Sequence, residues 1–336
     1  MSEVTVLAGD IGGTHARFAR VRAGHGPVVL EHEQVYDVAN SASLEALVAQ
    51  YLVDHPGDVA VAAIGIAAPI VGGKANPINL PWAISEDEVR SAIGHDDGHL
   101  LNDLLANAWG ISELGNDQFE ELQPDRIGLG GNRAVCSAGT GLGIAGMVAI
   151  GDRWQPFASE GGHIDYGPRS AHEDALLLYL RDRHPEWEHV SAERVVSGPG
   201  LVHIWEFVTQ TGRAQASADL TATMATGNPG VVISQAALAG SDESAVLAMD
   251  MFVHAYGAQA GNLALVLLST GGMYIGGGIA PQILPILRRG GFLHSFHAKG
   301  RYDGILEKMA VRVILDDLCA LRGSARFALT RLEERG

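Results

Sequence analysis

Val4-Thr5-Val6-Leu7-Ala8-Gly9-Asp10-Ile11-Gly12-Gly13-Thr14 is a short apolar run that ends in an aspartate, two glycines and a threonine. The run predicts a strand over Val4–Ala8, and Ala16–Arg22 predicts a second strand joined to it by the Gly-Gly-Thr turn. Glycines let backbone N–H groups approach a phosphate with no Cβ in the way. An aspartate beside them would repel that phosphate unless a hard divalent cation, Mg²⁺ above all, lay between. An ordinary hairpin turn is the other reading, since paired glycines after a strand are common.

The same pattern returns later in the chain. Ala134–Ala138 reads as a strand, Gly139-Thr140-Gly141-Leu142-Gly143 as a turn, and Ile144–Ile150 as another strand. Met273–Ile275 and Gly276-Gly277-Gly278 give a third strand and glycine turn, with Ile279 continuing beyond it. Gly141 to Gly146 matches G-x-G-x-x-G, but a dinucleotide fold needs a helix to start there. Only Ile144–Ile150 follows before Gly151-Asp152, and it reads as strand, so that fold is rejected. A pair of phosphate-binding hairpins, one in each half, remains.

Between these turns the pattern is α/β. Leu44, Leu47, Val48, Tyr51 and Leu52 follow helical spacing. Val59–Ala67 is nearly all apolar, as suits a strand covered on both faces. Ser85 with Glu88, and Ser170 with Glu173, have the spacing of capping boxes. A further helix is expected from about Val253 to Leu268, and Gln210 to Asp242 carries no recognisable motif. The 336 residues suggest two domains, with a second half beginning near residue 115.

Composition excludes several classes of function. With 47% hydrophobic and 18% charged residues the chain has ample core material. A formal net charge of -16 disfavours nucleic acid as a partner. Two cysteines, Cys136 and Cys319, are too few for a disulfide framework or a four-thiolate zinc site, and they suit a reducing compartment. No basic leader precedes the first apolar run, and Val59 to Val71 is too short to span a bilayer, so no membrane partner and a cytoplasmic location are expected.

Polar residues fall at places where α/β folds bind ligands. Asp103 follows Asn102 at a strand-to-helix junction, where a carboxylate could serve as a general base or cap the helix. Glu160-Gly161-Gly162-His163 offers an acceptor and a two-way hydrogen bonder suited to vicinal hydroxyls, or simply a polar loop. Glu193 could be a first-turn acid of a helix, and Asn79, before Trp82, a turn residue.

Together these segments resemble the bacterial hexokinase-type glucokinases, the non-zinc group of the actin-like ATPase superfamily. The resemblance runs through Gly9–Arg17, Asn79-Leu80-Pro81-Trp82, Asn102-Asp103, Ala138–Gly143, Glu160–Asp165, Ser191–Gly200 and Gly276–Ile279. It implies two actin-like, ribonuclease H-like α/β domains with a nucleotide and sugar cleft between them. They would be residues 1–113 with a C-terminal helix at about 317–336, and residues 114–316. It implies ATP and Mg²⁺ as cofactors, glucose as substrate and a homodimer. Asp103 would be the catalytic base toward the sugar 6-hydroxyl, and Asn79, Asn102, Glu160, His163 and Glu193 would hold glucose hydroxyls. Gly9, Asp10, Ile11, Gly12, Gly13 and Thr14, with Gly139, Thr140, Gly141, Gly277 and Gly278, would hold the nucleotide, and Asp10 would lie near the metal.

Overall fold

In the computed structural model, which describes residues 4–24, 26–77, 80, 82–128 and 130–335, the first strand outlasts its apolar run. β1 (Thr5–Ile11) continues through the aspartate, β2 (His15–Arg22) follows, and only Gly12–Thr14 turn. The antiparallel register sets Asp10 opposite Arg17 and Ile11 opposite Ala16. Backbone pairing with β2 carries the strand past its last purely apolar residues.

Two compact units result. The first takes in Met1–Gln118, Gln155–Ala158 and Asp316–Gly336. Its elements are β3 (Glu31–Asp37), α1 (Leu44–Asp54), β4 (Val61–Ile66), the ribbon β5 (Lys74–Ala75) and β6 (Ile84–Ser85), α2 (Glu86–Ile93), β7 (Gly98–Asn102) and α3 (Asp103–Gly110). The main sheet has the order β3-β2-β1-β4-β7, parallel from β1 through β4 to β7. β1 and β4 are covered on both faces, which is why both read as apolar runs. Leu7, Ile11, Ile64 and Ile66 pack with Leu44, Leu47 and Tyr51 of α1. Val6, Ala8, Val61 and Ala63 pack instead with Leu321, Ala325 and Leu329 of the C-terminal helix Cys319–Glu333. That helix crosses α3 so closely that a Cβ on Gly110 would overlap the Cys319 carbonyl, and one on Gly323 the Ala106 carbonyl.

The second unit takes in Phe119–Trp154 and Ser159–Leu315. Its strands are β8 (Phe119–Gln123), β9 (Arg133–Ala138), β10 (Leu142–Ile150), β11 (Arg153–Ser159), β12 (Met273–Gly276) and β13 (Val311–Ile314), in the order β11-β10-β9-β12-β13-β8. β9 and β10 form an antiparallel hairpin, and β9 runs parallel to β12 on its other side. That is the neighbour pattern of β2, β1 and β4, so the strand–turn–strand duplication expected from sequence is a duplication of topology as well. β10 runs through the G-x-G-x-x-G stretch from its second residue onward, where a dinucleotide fold would need a helix. The helices are α4 (Ala171–Arg183), α5 (Gly198–Gln210), α6 (Ala218–Met224), α7 (Pro229–Ala239), α8 (Glu243–Leu267), α9 (Ile279–Gln282), α10 (Leu284–Leu287), α11 (Gly291–His297) and α12 (Asp303–Leu306).

Four features depart from the sequence reading. α8 starts at Glu243, ten residues before Val253, because Asp242 caps it through the Ala245 N–H. The stretch without motifs holds α6 and α7, capped by Ser217 and Asn228. Ile279 opens a short helix after the third glycine turn. Ser85 and Glu88 form a reciprocal capping box, but at Ser170 only half exists, since Glu173 turns its carboxylate to Arg169. Among the described residues no helix is long and apolar enough to cross a membrane.

Candidate active site

The β1–β2 turn is closed by the Gly12 N–H donating to the His15 carbonyl at 3.0 Å. Gly12, Gly13 and Thr14 are exposed. A Cβ on Gly12 would meet nothing nearer than 3.7 Å, so packing within the chain does not demand glycine there. Gly9 differs, because a Cβ would press on the Phe18 ring at 2.9 Å. Ile11 belongs to the core and can offer a ligand only its backbone. Asp10 is largely withdrawn from water. Burial pushes its carboxyl up to about 6, with Arg17 pulling the other way. A desolvated carboxylate one residue from an exposed glycine turn fits a Mg²⁺ that brings most of its ligands as water and phosphate.

At the carboxyl end of β7, Asn102 rather than Asp103 is the cap of α3. Its Oδ1 accepts from the Leu104 N–H at 2.9 Å, and its Nδ2 donates to the Ala68 carbonyl at 3.3 Å. Asp103 is the first helical residue, and its Oδ1 also accepts from the Leu104 N–H at 2.9 Å. Asn79 lies outside the described residues.

In the second unit the Gly139 N–H donates to the Gly141 carbonyl at 2.9 Å, and the Gly198 N–H to the Gly139 carbonyl at 2.8 Å. Thr140 thus sits at the tip of a turn tied to the start of α5. A Cβ on Gly141 would lie 2.5 Å from the Glu193 carboxylate, so a side chain there would displace that carboxylate. That carboxylate accepts from the Leu142 N–H at 3.0 Å. Gly277 has φ +82 and faces the Ala138 carbonyl, so only glycine serves. Gly278 is open on all sides.

Glu160, His163 and Glu193 come together. His163 Nε2 lies 3.9 Å from Glu160 Oε2, and its Nδ1 lies 4.0 Å from Glu193 Oε1. Both separations exceed hydrogen-bond length, which leaves room for hydroxyl groups to bridge them. Glu160 and His163 are more than half exposed, so a solute can reach them. The loop behind them is fixed. Gly162 packs against the Leu142 carbonyl, the Ala192 N–H donates to the Ile164 carbonyl at 2.8 Å, and His189 bonds the His163 carbonyl at 2.9 Å. The sequence reading missed Tyr256 on α8. Its buried hydroxyl donates to the Cys136 and Gly276 carbonyls at 3.0 and 3.3 Å and accepts from the Ala138 N–H, tying the ends of β9 and β12 just before their glycine turns. Among the described residues no three His, Cys, Asp or Glu side chains gather into a metal-binding group.

A family model described as Glucokinase matches residues 7–331. A curated glucokinase of Nostoc sp. is 36% identical over 337 residues, covering 96% of this chain and 98% of the relative. The solved glucokinase from an Antarctic psychrotroph superposes with a TM-score of 0.85 at 30% identity, covering 97% of this chain and 99% of that one. The glucokinase of Balamuthia mandrillaris, solved in complex with glucose, shares the fold at a TM-score of 0.80 and 20% identity, covering 98% and 94%. With the family model spanning nearly every residue and a relative aligned end to end at more than a third identity, the chain belongs to the glucokinase family.

Proposed function

We propose that the enzyme transfers the γ-phosphoryl group of ATP to the 6-hydroxyl of D-glucose, giving glucose 6-phosphate and ADP, with Asp103 as general base. The carrying observation is the position of Asp103, on the first turn of α3 at the carboxyl end of a parallel strand. Asp103 takes the proton of the 6-hydroxyl as that oxygen bonds to the γ-phosphorus and the bond to the β–γ bridging oxygen breaks. Asn102 holds the junction rigid through its cap and its bond to Ala68. Glu160 and Glu193 accept hydrogen bonds from sugar hydroxyls, and His163 between them both donates and accepts. Backbone N–H groups of Gly13 and Thr14 and of Thr140 and Gly141 receive phosphate oxygens, those of Gly12 and Gly139 being used to close the turns. Asp10 would hold Mg²⁺, which would supply neutralisation of charge on the phosphates.

The transition state of phosphoryl transfer is loose, so alignment and charge stabilisation supply most of the rate. Asp103→Asn keeps the shape and removes the base. It is expected to lower kcat at least about 10²-fold with little change in the KM for glucose. Glu160→Gln is expected to raise that KM instead, since it weakens a hydroxyl contact already made in the ground state. Steady-state assays of ADP release, run over a panel of hexoses with and without Mg²⁺, check both. A loss under tenfold in Asp103→Asn would remove that residue from the role.

A further inference from the structure

The second unit holds a cavity of about 610 Å³ that the proposed reaction does not use. α4, α8 and α11 wall it, together with Arg213 from the loop after α5. We infer that it binds an amphipathic organic anion, a carboxylate or phosphate head on an apolar body, with Arg213 and His172 receiving the head.

Its two sides differ in chemistry. Arg213 makes no ion pair among the described residues, and its Nη1 lies 2.9 Å from His172 Nδ1. A guanidinium can only donate, so that Nδ1 is the acceptor and the His172 proton is on Nε2. The pair therefore presents a full positive charge and a further N–H donor, with a second guanidinium nearby in Arg169. Leu247 and Met251, one turn apart on α8, and Ala298 after α11 give the apolar side. The volume suits a ligand of ten to twenty heavy atoms.

Two carboxylates also line the cavity. Glu173 is buried and fully engaged, accepting from Arg169 Nε at 3.1 Å and from the Arg169 backbone N–H at 2.7 Å. Asp250 is exposed, and its charge opposes an anion. Burial first, then Arg169 and His294, hold the His254 imidazole below its usual value, although Asp250 and Glu173 pull it up. Two guanidinium groups are thus matched by two carboxylates on the cavity wall; Arg169 is paired with Glu173, and Arg213 is the cation without a carboxylate partner among the described residues.

Calorimetric titration of the full chain, with glucose and Mg-ADP held saturating, tests the assignment. The probes are octanoate, octyl phosphate and inorganic phosphate. At least one of the two amphiphiles is expected to saturate a single site with a Kd of about 1 mM or tighter, and the better one names the head group. Inorganic phosphate is expected to bind at least tenfold more weakly, having no apolar body. Arg213→Gln should weaken the amphiphile about tenfold or more, Leu247→Trp should abolish its binding by filling the cavity, and Asp250→Asn should tighten it. Glucose phosphorylation without amphiphile should be unchanged in all three variants, which shows that they are folded. Absence of saturable binding by either amphiphile overturns the inference. So does binding unaffected by Arg213→Gln and Leu247→Trp, phosphate binding as tight as the amphiphile's, or weaker binding in Asp250→Asn.

Discussion

Asp10 shows what burying a single carboxyl costs a fold. Its carboxyl titrates near about 6 in the folded protein against 3.8 as the ordinary value, because burial disfavours the charge. A raised carboxylate value means that folding is penalised once the pH exceeds 6, and that the penalty fades as the pH falls to 4. At its full extent the penalty is roughly 3 kcal/mol. Asp10→Asn is therefore expected to raise the thermal midpoint of the ligand-free protein at pH 8 and to leave it unchanged near pH 4, while Mg-ATP binding weakens. Scanning calorimetry across that range checks it, and an equal shift at both ends would assign the effect to packing. The local part of the candidate site was legible because it is written contiguously: Asp10 with its glycines, Asp103 after Asn102, Glu160 with His163. Glu193 meeting the Leu142 N–H and Tyr256 meeting Cys136 are contacts across 51 and 120 residues, and no local pattern encodes them.

Elements were legible where burial is uniform or periodic. β1, β4 and β9 sit inside sheets and read as apolar runs. β3 and β8 are at or near sheet edges, and Glu31, His32, Glu33 and Gln34, or Glu120 and Glu121, hide them among polar residues, as edge strands commonly do. The start of α8 was missed because its partly exposed residues Val246, Leu247 and Met251 are as apolar as the buried Ala245, Ala248 and Met249, so little polar face reports the period. Two substitutions test what holds particular elements. Ser85→Ala removes the hydroxyl side of the α2 capping box, leaving the backbone N–H of residue 85 to the Glu88 carboxylate, and is expected to cost about 1 kcal/mol, read as a lower denaturant midpoint with an unchanged slope. Gly323→Ala puts a methyl group into the Ala106 carbonyl of α3. Because backbone rather than a flexible side chain must yield, a loss of at least about 2 kcal/mol is expected by the same measurement.

At the scale of the whole molecule, the last helix completes the core of the first unit, whose strands come from the other end of the chain. Leu321, Ala325 and Leu329 cover one entire face of β1 and β4. Deleting Cys319 onward is expected to erase hydrogen-exchange protection across residues 4–118 while much of it survives in residues 119–315, because the second unit has its own core. Loss of protection throughout would show that the units fold only together. The carboxylate of Glu193 has a different kind of reach. It fills the volume that a side chain at position 141 would need, so the two positions cannot drift independently as sequences diverge. Alanine at Gly141 would push the acid's carboxylate aside, at the expense of its bond to the Leu142 N–H and its place beside His163. The two positions are therefore coupled through the resting place of one carboxylate, and whatever is gained at one is felt at the other as a displaced acceptor.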